Sequence, residues 1–125
     1  MDRDEILSAY LHEQMHWYAD ARGVDQQSPV IAELERRYPH APIEFPEGAY
    51  DKLSTYLHLL VNWLEIEATS NFLPRERAEE IARNTGYYRW IYRMVLTDWN
   101  SLERLFREQG HVPIVYAAHM QDLNK

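Results

Sequence analysis

The chain contains no cysteine. That absence excludes disulfides, thiolate nucleophiles and cysteine-ligated zinc together, so any metal here must be held by histidine and carboxylate. Basic clusters are lacking too. The longest Lys/Arg run is the pair Arg36–Arg37, and the formal net charge is -7 with a pI of about 5.3. A duplex-binding module needs a basic face, so nucleic acid is not an expected partner. No stretch approaches the ~20 uninterrupted apolar residues of a membrane span. The opening "MDRDE" is acidic where a secretory leader is basic, which makes the cytoplasm the expected compartment. Internal repeats, low-complexity segments and domain linkers are also missing.

What remains is a 125-residue chain with 46% apolar residues, including nine Tyr and four Trp. This suffices for one domain with a modest core, because aromatic side chains bury large areas per residue. Signals along the chain are helical. A first helix is expected from about Asp4 to Arg22, with Asp2 or Asp4 as cap and Gly23 at its end. Ser28 and Pro29 open a shorter second helix that Pro39 and Pro42 stop. "HAPIEFPEG" reads as an extended linker, because proline restricts the residue before it. A long third helix is expected over about Tyr50 to Phe72, then helix from about Arg75 to Gln109 with a break near Asn84–Thr85–Gly86. In the tail only "IVYAA" has strand character. The expected fold class is mainly α, a single helical domain.

The first helix carries His12, Glu13 and His16, a His-Glu-x-x-His pattern. Residues four apart lie on one helix face, so both imidazoles can point at one tetrahedral zinc. Glu13 is turned ~100° away and suits a general base acting on water rather than a ligand. Small residues Ser8, Ala9 and Ala19 flank the pair and allow a second helix to come close. Asp20 can accept a ring N–H from His16, or simply be a solvated helix-end carboxylate.

The third helix is apolar around most of its circumference, as expected of a buried helix. Its polar line is His58, Asn62, Glu65 and Thr69, spaced 4, 3 and 4. A line of this kind faces either solvent or a polar site. If it faces the histidine pair, Glu65 is the third zinc ligand. Glu67 is the rival, but it lies ~200° from Glu65, so the two cannot serve one metal. His58 stands ~10 Å along the axis from Glu65, and both cannot ligate one ion. With Glu65 on the metal, His58 lies further along the cleft, touching substrate or serving as a packing residue. Tyr56, Tyr87 and Tyr88 are candidate oxyanion donors or plain packing residues. No role is assigned to His40, His111 or His119.

A His-Glu-x-x-His helix completed by a glutamate on a later helix resembles the gluzincin type of zincin metallopeptidase. In several gluzincin families the ligand glutamate is followed at the third place by Ala and at the fourth by Asp or Asn. Here Glu65 is followed by Ala68 and Thr69. "HEQMHW" with "STYLHLLVNWLE" is also similar to a family of small bacterial proteins. The resemblance covers two helices, about a third of the chain. It implies zinc on His12, His16 and Glu65, with Glu13 as base in the hydrolysis of a peptide or protein amide bond. Larger zincins place a β-sheet before this helix. No sheet is evident in this sequence, so a helical zincin-like domain is expected. A non-catalytic helical metal-binding or protein-interaction domain is the alternative from another class.

Overall fold

The computed structural model describes residues 2–112, and the expected "IVYAA" strand and His119 lie outside them. Six helices and no strand are found among the described residues: α1 (Arg3–Ala21), α2 (Pro29–Arg37), α3 (Lys52–Thr69), α4 (Arg75–Asn84), α5 (Arg89–Thr97) and α6 (Trp99–Glu108). The mainly α class follows. Among the described residues no helix is long and apolar enough to cross a membrane.

Local chemistry sets the helix ends. The Asp2 carboxylate accepts from the Glu5 amide at 2.8 Å and the Asp51 carboxylate from the Ser54 amide at 2.7 Å, satisfying orphan donors at the starts of α1 and α3. Ser28 holds the N-cap position of α2 but bonds outward, accepting from the Asp25 amide at 2.9 Å. α3 begins two residues later than expected, because Tyr50 takes a left-handed backbone (φ 80°) ahead of the Asp51 cap. The expected break near residues 84–86 runs on through Tyr88. A second break, with no signal in the hydrophobic pattern, falls at Asp98, whose carboxylate accepts from the Tyr38 hydroxyl at 2.6 Å.

α3 is the axis of the molecule and contacts all five other helices. Leu59, Leu60, Trp63, Leu64 and Ile66 are buried on it, packed among Leu11 and Met15 of α1, Leu34 of α2, Ile91 of α5 and Phe106 of α6. Full burial of such a side chain contributes roughly 1.5–3 kcal/mol, so α3 anchors the core. α1 runs antiparallel to it, since Ser8 and His12 meet Glu65 while His16 meets His58. The small residues Ser8 and Ala19 are buried in this contact, as their size foretold.

The segment expected to be an extended linker is instead folded back on itself. The Gly48 amide donates to the Glu44 carbonyl at 2.8 Å and the Tyr50 amide to the Ile43 carbonyl at 2.6 Å. The carbonyls of Pro46 and Glu47 then accept from the Arg89 and Trp90 amides, capping α5 and fixing Tyr88 beside the site. The proline restrictions governed single residues, while these hydrogen bonds closed the turn. Gly48 makes the turn possible: a Cβ there would lie 2.1 Å from the Pro42 carbonyl oxygen, with no flexible side chain to yield. The Gly48→Ala variant is therefore expected to lose about 1–3 kcal/mol of stability, read from the urea midpoint, through overpacking against backbone. An unchanged midpoint would show that the turn can open without cost.

Candidate metal centre

α1 and α3 bring three imidazoles to one point. The Nε2 of His16 lies 3.1 Å from the Nε2 of His12 and 3.1 Å from the Nε2 of His58. All three ligand atoms fall within 4.8 Å of one another. Two zinc–nitrogen bonds of about 2.0–2.1 Å at a tetrahedral angle set their nitrogens about 3.3 Å apart, close to the spacing of His16 from each of the other two rings.

Partners behind the rings fix which nitrogen points inward. The Nδ1 of His12 donates to Oε1 of Glu65 at 2.6 Å, and the Nδ1 of His58 donates to the Ser54 carbonyl at 2.7 Å. Because each Nδ1 carries the proton, both Nε2 atoms present lone pairs to the centre. Burial disfavours a positive charge on His58 and His16. Burial first, with His16 and His12 beside it, lowers His58 to about 4 despite its bond to Ser54, and burial followed by His12 lowers His16. Two inward lone pairs, beside the inward nitrogen of His16, make a donor set suited to a divalent ion.

Glu65 is buried at 2% exposure and held by three donors. Besides His12, the Tyr92 hydroxyl donates to Oε1 at 2.7 Å and the Ser8 hydroxyl to Oε2 at 3.1 Å. Burial, and then Glu65 itself, push the Tyr92 phenol well above its usual range, so it remains a donor. The carboxylate behind His12 orients its ring and raises its basicity, as outer partners of metal-binding histidines do.

Glu65 and His58 thus exchange the places expected of them. Glu65 does face the histidine pair, but from behind His12, and His58 rather than Glu65 completes the inward group. The reason is register: α3 is set against α1 so that His58 lies level with His16. Glu67 points elsewhere and pairs with Arg75 at 3.2 Å. Asp20 is solvent-exposed, and Glu13 is exposed beside His12. The polar line of α3 faces the site through His58 and Glu65. Asn62, between them, is fully buried with neither amide atom hydrogen-bonded.

Tyr88 covers one side of the centre. Its ring stands 4.4 Å from that of His58 and 6.2 Å from that of His12, on a left-handed backbone (φ 51°) at the start of α5. Such a conformation costs of order 1–3 kcal/mol for a residue other than glycine and persists only where its surroundings enforce it. On another side a cavity of about 280 Å³ opens between α1, α4 and the loop before α5, and His12, Glu13, Glu65 and Tyr87 are among its walls. Sequence reasoning did not find Ser8 and Tyr92 as partners of Glu65. Ser8 stood out only for its small size, and Tyr92 looks like any packing aromatic on an amphipathic helix. Searches for similar proteins returned no matching family model, curated protein or solved structure.

Proposed function

We propose that the protein is a metal-dependent hydrolase, holding one zinc-class ion on His12, His16 and His58. The convergence of the Nε2 atoms, with the His12 and His58 tautomers set from behind by Glu65 and Ser54, is the observation that carries this reading. An ion held by these three imidazoles would supply Lewis-acid chemistry, polarising a carbonyl and acidifying water.

The chain's own groups do the rest. Glu13, on the cavity wall one residue from His12, takes the proton of the attacking water as the new C–O bond forms. It returns that proton to the leaving amine or alkoxide as the C–N or C–O bond breaks. Its charge acts on His16, Tyr87 and Tyr88, which places it within the electrostatic reach of the centre. Glu65, Tyr92 and Ser8 keep the His12 ring in position. A cavity of about 280 Å³ encloses small amides and esters, which are the substrates that fit it.

One observation favours the non-catalytic alternative. Ile6, Tyr10 and Trp17 are 55%, 60% and 72% exposed and fall on one line of α1, an apolar stripe suited to a protein partner. Metal content separates a bound centre from a chance cluster. Protein purified without added metal and dialysed against zinc is expected to take up one ion per chain. A stoichiometry near zero would remove the centre.

A further inference from the structure

We propose that the cavity beside the metal centre selects a small cationic molecule, an amide or ester whose chain carries a protonated amine. This substrate class rests on the metal-dependent reading above. The charged side chains on the cavity wall are Glu5, Glu13, Glu65 and Arg77. Arg77 offers no positive charge to a ligand, because it is engaged by Asp2 at 2.6 Å, by Asp4 at 2.9 Å and by Glu80. Glu65 is occupied by His12, Tyr92 and Ser8. Glu5 and Glu13 face the cavity with no cationic partner among the described residues. The wall is therefore negative without compensation, which attracts cations and repels phosphates and carboxylates.

The shape agrees with the charge. At about 30 Å³ for each water-sized group, a cavity of about 280 Å³ holds on the order of ten non-hydrogen atoms. Glu5 and Glu13 are eight residues apart on α1, about 12 Å of rise. A linear substrate can then set its ammonium against Glu5 while its carbonyl lies at the His12–Glu13 end. The Tyr87 ring on the same wall adds a face that attracts cations.

The test compares three probes of similar size by NMR titration: butyltrimethylammonium, neutral N-butylacetamide and pentanoate. A quaternary ammonium cannot ligate a metal, and the titrations use the chain after chelator treatment, so the cavity is read separately from the centre. The expected result is saturable binding of the cation, centred on Ala9 and Tyr87, weakening as salt is raised, with the neutral and anionic probes bound at least about threefold more weakly. Glu5→Lys is expected to weaken the cation by about twofold to fivefold. Ala9→Leu, which narrows the same wall without changing charge, is expected to abolish binding. Equal affinity for the three probes, or cation binding unchanged in both variants, would overturn the proposal. Cation selectivity in a chain that takes up no zinc would instead overturn the metal reading alone.

Discussion

The His58→Ala variant is expected to lose zinc under conditions where the wild type binds one ion per chain. His58 supplies one of three inward nitrogens, and two imidazoles from one helix leave the ion with half its tetrahedral shell. The contrasting variant is Glu65→Gln. Glu65 touches His12 from behind, and loss of an outer partner of this kind typically costs about 10–100-fold in metal affinity. The order of effect therefore distinguishes the two ligand sets. With His58 on the ion, His58→Ala is the more damaging. With Glu65 on the ion, as the gluzincin resemblance implies, the order reverses and His58→Ala retains stoichiometric zinc. Equilibrium dialysis with competing chelators measures both, and circular dichroism checks that each variant keeps its helices. Glu67→Gln serves as control, since Glu67 lies with Arg75 away from the site.

The Glu13→Gln variant is expected to keep zinc and fold while losing hydrolysis by about 10²–10⁴-fold, the usual contribution of a positioned general base. The amide preserves the size of the carboxylate but cannot accept the proton of water. Glu13 is exposed, so its substitution leaves the core intact and a fall in rate reports on chemistry. Zinc-loaded wild type and variant are to be assayed in parallel on a panel of small amides and esters, with cationic members included. Turnover surviving in the variant removes Glu13 from the mechanism. An inactive zinc-loaded wild type favours the non-catalytic reading, in which the exposed Ile6–Tyr10–Trp17 stripe docks a partner.

Much of the helical fold was legible in the sequence because its determinants are local. The Asp2 cap of α1, proline at the start of α2 and the apolar circumference of α3 act within one or two turns. The His12–His16 pair is legible for the same reason: residues four apart on a helix share a face whatever packs against them. The burial of Ser8 and Ala19 was foreshadowed by their size, and the approach of Glu65 to the histidine pair by its place on the one polar line of α3. The linker over residues 40–48 was not legible, because its turn depends on one backbone contact at Gly48 that no periodicity encodes.

The identity of the third inward residue was a question of register. His58 and Glu65 lie on the same line about two turns apart, and sliding α3 along α1 by ~10 Å would exchange them. Nothing within either helix sets that slide. It is set by core packing along the whole contact, with Leu11 and Met15 of α1 seated among the buried residues of α3. Tyr92 and Tyr88 reach the site only because α5 packs on α3, and their sequence neighbourhood resembles any amphipathic helix. The sequence by itself determined α1, α2 and most of α3, the histidine pair and the polar line that faces it. The antiparallel docking of α1 on α3 decided that His58 points at the centre and Glu65 stands behind His12, because register is a property of two surfaces in contact and of neither strand of sequence alone.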